Sequence, residues 1–319
     1  MADCVQHSLA RGGAPTVSVV LPTFNRLKYT PAAIVSILGQ TFRDWELIIA
    51  DDGSDADTRA YLSSIDDPRV QLLWLAHSGR PAVARNAAMR RARGEFIAFM
   101  DSDDFWLPTK LEAQVAALRR RSHCAWSQTS FTLTDATGRA IRAMPAADGW
   151  IIGNLASSQT VVALPSVMAY RVLLEDAGGF DEELVTCEDY DLWLRLAARS
   201  EVAAVSEPLT VVRRHDEHYS DPITAYNDSI CVIDKLLRSN IAPQSAPVVR
   251  RLRAKWCARL ARSYVDSGDR AAAARMLRSS AASSWRYLHW WSGGLAAILQ
   301  CFVPIAARRF ARKVYGGPA

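Results

Sequence analysis

At 319 residues, half of them hydrophobic and 22% charged, the chain has the composition of a globular protein with room for one large domain plus an extension. Its net charge of +5 is uneven: residues 250–319 carry 14 Lys and Arg against 2 acids, which leaves −7 on residues 1–249. A mildly acidic front argues against a nucleic-acid-binding face there, and the basic tail suits an anionic membrane surface.

The six cysteines show no C-x-x-C or His/Cys spacing, so free thiols in a reducing compartment are expected. Residues 1–14 are polar and Gly/Ala-rich and predict a flexible N-terminus without a secretory leader.

Residues 17–21, VSVVL, read as a buried strand followed by a polar loop over Pro22, Thr23, Phe24, Asn25 and Arg26. Thr30 before Pro31 predicts a helix N-cap, and the helix 31–38 would turn Ile34, Val35 and Leu38 to one face. The next strand, 46–50, stops at Asp51-Asp52-Gly53-Ser54-Asp55. A helix over 58–65, a strand over 70–75, a loop over 77–80 and a helix over 81–92 carrying Arg85 and Asn86 follow. The fourth strand, 96–100, ends abruptly at Asp101-Ser102-Asp103-Asp104. Three carboxylates in four residues repel one another, and a hard divalent cation such as Mg²⁺ or Mn²⁺ would relieve that repulsion. Asp104 is read as a cap on a helix-like turn.

Four strands thus alternate with three helices, the pattern of a parallel sheet covered by helices. Polar loops after strands one, two and four fall on one rim, outside the carboxyl ends of the strands, where such sheets bind ligands.

Further on, 108–121 is an amphipathic helix with Leu111, Val115 and Leu118 inward. A hairpin is expected over 125–133 and 139–143, and a strand over 166–170. After the turn GGFDEE at 178–183, a helix over 188–199 places Glu188 and Asp189 in its first turn, where the helix dipole favours carboxylates. Strand-like stretches at 202–205 and 208–213 lead to His215. Beyond about 222 the composition turns helical, with helices over 223–238, 250–265 and 270–281. Residues 288–307 lack Asp, Glu, Lys and Arg, but polar residues and Pro304 interrupt them and Trp285, Trp290, Trp291, Arg308, Arg309, Arg312 and Lys313 bracket them. That pattern fits an interfacial amphipathic segment better than a span.

Five motifs occur in order: PTFNR at 22–26, DDGSDADT at 51–58, ARN at 84–86, MDSDD at 100–104 and GGFDEELVTCEDYDLWLRL at 178–196. Together they resemble glycosyltransferase family 2, the inverting group with the GT-A fold, a Rossmann-like, mostly parallel α/β sheet with helices on both faces. The resemblance covers residues 15–220, followed by a helical extension, 221–284, and the basic, aromatic segment 285–319. It implies a transferase that takes a nucleotide-diphosphate sugar, most often a UDP-sugar, and a glycan or lipid-linked acceptor. It places Asp52 on the base N3–H, Phe24 stacked on the base with Pro22, Thr23 and Asn25 beside it, and Arg85 on the nucleotide. Asp103 would bind the metal, with Asp101 towards ribose or metal, and His215 falls where relatives contact metal or diphosphate. Asp189 would be the general base, taking the proton of the acceptor hydroxyl, and Glu188 would orient it or hold the acceptor.

The same resemblance implies a cytoplasmic enzyme, peripheral on the inner face of the plasma membrane, in cell-surface polysaccharide synthesis. A nucleotidyltransferase is disfavoured because no Gly-rich phosphate loop follows the first strand. A non-catalytic relative would be expected to have lost Asp103 or Asp189.

Overall fold

The computed structural model describes residues 13–214, 221–240 and 243–284. His215 and the segment 285–319 lie outside the described residues, so the expectations for them do too. The chain forms two compact units, divided between residues 218 and 219.

The first unit opens with β1 (Val17–Thr23), α1 (Thr30–Leu38), β2 (Trp45–Asp51), α2 (Ala56–Ser63), β3 (Val70–Trp74), α3 (Pro81–Arg91) and β4 (Phe96–Phe99). β1 pairs in parallel with both β2 and β4, and β2 in parallel with β3. The chain therefore builds outward from β1 to β3 and then returns to the other side of β1. Right-handed crossovers put α3 on the opposite face from α1 and α2, and open a crevice at the carboxyl ends of β1 and β4.

One face buries Val17, Val19, Leu21, Leu47 and Ile49 against Ala33, Ile34 and Ile37 of α1. Val35, expected to point inward, is 64% exposed. The inward stripe follows the 33, 34, 37 spacing, and Val35 lies a further 100° round the helix. Thr30 is the first helical residue, not the cap. Its hydroxyl donates to Arg26 O (2.9 Å) and meets Thr23 Oγ1 (3.2 Å), which ties the start of α1 to the end of β1.

The unit continues with β5 (Phe105–Trp106), α4 (Lys110–Arg120), β6 (Cys124–Thr134), β7 (Ala140–Met144), α5 (Ile152–Ala156), β8 (Val167–Tyr170), α6 (Arg171–Asp176), α7 (Glu188–Ala197) and β9 (Glu201–Arg213). The sheet order is β3-β2-β1-β4-β8-β6-β9-β5, with β7 against β6. β8 is antiparallel to β4 and β6, so the sheet is parallel in its N-terminal half and mixed beyond it. The stretches at 202–205 and 208–213 are one strand, whose register against β6 shifts around Pro208, a residue with no N–H to give to the ladder. The turn after Asp104 leads into β5, which pairs with β9, and not into a helix. α5 and α6 span five and six residues, too short to show a helical period in sequence.

An aromatic cluster joins α7 to the sheet. Trp193 stacks on Trp126 (centroids 6.0 Å apart, 15° between planes) and meets Phe99 edge-on at 5.8 Å. Phe180, from the GGFDEE turn, packs edge-on against Phe99 at 5.3 Å. Such pairs contribute about 0.5–1.5 kcal/mol each beyond their buried area. Phe99 lies two residues before Asp101, so this cluster sets where the first turn of α7 lies relative to the acidic strand end.

The second unit holds α8 (Pro222–Ser239), α9 (Ala246–Ser267) and α10 (Arg270–Ser284). Ala261, Val265 and Ala273 form a small core. Arg253 joins all three helices, pairing with Asp234 at 2.5 Å and donating to Ser279 and Ser283. Among the described residues no helix is long and apolar enough to cross a membrane.

Candidate active site

A cavity of about 330 Å³ opens at the carboxyl ends of β1, β2 and β4, bordered by Phe24, Asp52, His77, Arg80, Arg85 and Asp103. Pro22, Thr23 and Asp101 also reach it. Asn25 adopts a left-handed conformation (φ 51) and braces the rim instead: its N–H donates to Ser54 Oγ, and its Oδ1 accepts from Asp55 N. Asp51 has a similar bracing part, accepting from Ser54 N and pairing with Arg59 at 3.2 Å.

Arg85 joins the two acidic clusters. It is 6% exposed, on the buried side of α3. Nη2 donates to Asp101 Oδ1 at 2.8 Å, and Nη1 donates to Glu188 Oε1. Its Nε has no hydrogen-bond partner among the described residues. Burial works against the guanidinium charge, but Asp101 and Glu188 outweigh it and hold the pKa above the ordinary arginine value. A planar fork reaches two carboxylates on different elements, which the single ammonium of lysine would do poorly.

Asp101 and Asp104, at the end of β4, have raised pKa values as well. Burial, with Asp103 and Glu188 adding repulsion, raises the pKa of Asp101 despite Arg85. Asp104 is raised well above the usual range by burial and by Asp103 and Asp101; its Oδ1 accepts from Arg213 N at 2.7 Å, which fastens the strand end to β9. Asp104 is therefore an anchor across the sheet rather than a helix cap.

Asp189 follows Glu188 in the first turn of α7, but it has no guanidinium at hydrogen-bond distance among the described residues. Its carboxylate accepts from Tyr190 N at 2.6 Å. Burial first, then the Glu188 charge, push its pKa up to about 7. Cys187, just before the pair, is held at φ 60, a conformation that costs a non-glycine residue roughly 1 kcal/mol or more and so turns the chain sharply into the helix.

α3 also sets the approach to α7. Asn86 Nδ2 donates to Phe180 O (2.8 Å) and Glu182 Oε1 (2.9 Å), and its Oδ1 accepts from Phe180 N (2.9 Å). Gly179 sits at φ +69, and a Cβ there would lie 2.8 Å from Asn86 Oδ1. Arg80 Nη1 adds a bond to Glu182 O at 2.7 Å.

At the other end of the cavity, Asp52 is enclosed by the loop after β3. Oδ1 accepts from Ser78 N (2.9 Å) and Ser78 Oγ (2.8 Å), and Oδ2 from Gly79 N (3.0 Å). Phe24 stacks on His77 with centroids 4.0 Å apart and 20° between planes. The loop lies so close to Gly53 that a Cβ there would come within 2.9 Å of His77 N. His77, Ser78 and Arg80 were not singled out from sequence. The signal for them in the sequence is their place at the end of a third parallel strand, on the same rim as the loops after β1, β2 and β4.

The donor set at the end of β4 suits a hard divalent cation, because buried aspartate oxygens with raised pKa values are stabilised by added positive charge. Among the described residues these oxygens do not close into a three-ligand cage on their own, so an ion there would draw further oxygens from its ligand, as Mg²⁺ commonly does. His123, Cys124 and Glu201 do come together, at the opposite end of β6 and β9. There burial raises the Cys124 thiol pKa and Arg121 lies near Glu201, which disfavours thiolate ligation.

The family model for glycosyl transferase family 2 matches residues 18–154. Over 185 residues the chain is 35% identical to the putative teichuronic acid biosynthesis glycosyltransferase TuaG of Bacillus subtilis, covering 57% of this chain and 72% of that one. The chain belongs to glycosyltransferase family 2. Within that family it is also 31% identical, over 60% of its length and 73% of the other, to the Escherichia coli UDP-Glc:alpha-D-GlcNAc-diphosphoundecaprenol beta-1,3-glucosyltransferase WfgD. It spans only 28% and 33% of the length of two uncharacterized glycosyltransferases from Rickettsia bellii and Rickettsia felis. S. aureus TarS 1–349 in complex with UDP-GlcNAc shares the fold with a TM-score of 0.61, at 19% identity, over 83% of this chain and 81% of that one. The architecture is thus GT-A, with C-terminal helices.

Proposed function

We propose that this family 2 chain is a metal-dependent inverting glycosyltransferase. In this reading it moves a sugar from a nucleotide-diphosphate donor, a UDP-sugar, to a hydroxyl of a glycan or lipid-linked acceptor in cell-surface polysaccharide synthesis. The observation that carries the reading is the arrangement around Arg85, which joins the acidic end of β4 to the first turn of α7 beside the cavity. The relatives support it: WfgD is named for a UDP-Glc donor and a diphosphoundecaprenol-linked acceptor, and TarS was captured with UDP-GlcNAc.

The chemistry divides between the two acidic clusters. Phe24 and Asp52 receive the base, and Arg85 and Asp101 lie towards ribose and phosphate. Asp103, with Asp101, would hold Mg²⁺ or Mn²⁺, which as a Lewis acid would offset the charge of the departing diphosphate. Asp189 takes the proton of the acceptor hydroxyl while that oxygen bonds to the anomeric carbon and the bond to diphosphate breaks on the opposite face. One displacement inverts the configuration and needs no carboxylate nucleophile. A carboxylate with a pKa near 7 is matched to that task at neutral pH. Glu188, paired with Arg85, orients the base and the acceptor.

In the same reading residues 15–220 form the transferase domain and 221–284 a helical extension. Segment 285–319 attaches the chain peripherally to the inner face of the plasma membrane, and deleting it should release the protein from membrane fractions. The test of the activity is incubation with a panel of nucleotide sugars, with and without Mn²⁺ or Mg²⁺. Slow hydrolysis of a UDP-sugar that depends on the metal supports the reading; binding and hydrolysis of none of them defeats it.

A further inference from the structure

The end of the cavity that would take the base is lined by a side chain with the shape and donor pattern of a base. The His77 ring lies flat on Phe24, with centroids 4.0 Å apart and 20° between planes. Its Nδ1 lies 2.9 Å from Asp52 O and 3.1 Å from Asp52 Oδ2. The carbonyl can only accept, so Nδ1 carries the proton and donates to Asp52. A carboxylate offers about four acceptor positions. Ser78 N, Ser78 Oγ and Gly79 N take three of them on Asp52, and His77 Nδ1, whose N–H donates to Asp52 O, stands 3.1 Å from Oδ2.

The three other donors belong to the backbone of a loop packed on Gly53 or to the short side chain of Ser78. His77 is different: about half of its side chain is exposed, and it can leave by rotating about its own bonds.

We infer that His77 is a specificity-determining residue of the donor site. Its imidazole is a built-in stand-in that a nucleobase must displace, stacking on Phe24 and donating a ring N–H to Asp52 as the base would. This rests on the proposed binding of a nucleotide sugar in the cavity. Displacement is matched contact for contact only by a base with its own ring N–H, such as uracil or guanine. In adenine and cytosine the ring nitrogen at the pairing edge is an acceptor and would face the Asp52 carboxylate unfavourably. His77 thus sets a threshold: binding is weakened by the fraction of molecules in which the imidazole is seated, and only a ligand that recovers both contacts overcomes it.

Two measurements on the full chain test this. Without ligand, the His77 ring protons should show a ring-current shift in NMR that disappears in Phe24→Leu; absence of that shift overturns the proposal. With UDP, calorimetry should give a dissociation constant about threefold to tenfold lower for His77→Ala than for wild type, since the competitor is gone. His77→Phe, which keeps a ring on Phe24, should gain less. The wild-type shift should collapse as UDP is added, while ADP should leave it in place. UDP binding that is unchanged or weaker in His77→Ala overturns the proposal and leaves the donor reading standing. Failure of both proteins to bind any nucleoside diphosphate overturns the donor reading and the proposal with it.

Discussion

Glu188 and Asp189 are neighbours in one helical turn, yet the fold treats them differently. Glu188 is buried and receives Arg85 Nη1 directly. Asp189 accepts only a backbone N–H among the described residues, and burial and the Glu188 charge push its pKa up to about 7. Adjacent helical residues point about 100° apart, so one guanidinium cannot serve both equally. The difference teaches that neighbouring carboxyls in one motif can be set apart by the fold: Arg85 binds Glu188, while burial and the Glu188 charge raise the pKa of Asp189.

The largest effect expected from breaking this contrast is on Asp189. Asp189→Asn should retain UDP binding in calorimetry and lose transfer by about 10²- to 10⁴-fold, the usual contribution of a general base. Undiminished turnover would exclude it from that part. Next, Arg85→Ala leaves Asp101 and Glu188 buried without their shared cation. Denaturant unfolding should show a loss of about 3–5 kcal/mol, with Arg85→Lys recovering only part of it because an ammonium cannot fork to both.

Titration sharpens the same contrast. Transfer should rise with pH as Asp189 ionises around 7 and then level off. The stability change runs in the opposite sense, because the folded-state pKa lies above the unfolded value. The contribution from this carboxyl is full below about pH 4, the ordinary Asp range, and is lost as pH rises through about 7. Asp189→Asn should therefore remove part of the fall in stability over that window, as read from melting temperature against pH.

The smallest effect concerns the turn that presents α7. Gly179→Ala introduces a Cβ 2.8 Å from Asn86 Oδ1 at φ +69. It should cost about 1–3 kcal/mol in stability, and it should reduce transfer more than UDP binding, because the turn leads to Glu188 and Asp189 and not to the base end of the cavity.

Much of the molecule is legible without coordinates. The alternation of short apolar runs with helical periods dictates the β1–β4 half of the sheet, because each element must bury its apolar face. The acid runs at 51–55 and 101–104 mark the strand ends, and Glu188 and Asp189 mark the start of α7. Those are local features, decided by neighbours within a few residues.

What tertiary structure decided are contacts between residues far apart in the chain. Arg85, 103 positions from Glu188, is expected from the sequence only to contact the nucleotide; packing of α3 against the sheet is what buries it between two acids. Asp104 reads as a helix cap and is instead an acceptor for Arg213, 109 positions on, because the chain turns into β5 and meets β9. His77 reads as a loop residue until two strand-end loops close on each other and set its ring on Phe24. Charge type and periodicity are written in the chain itself. Which charge is paired, which is left to titrate and which ring lines a cavity depend on distances that exist only once the sheet has formed.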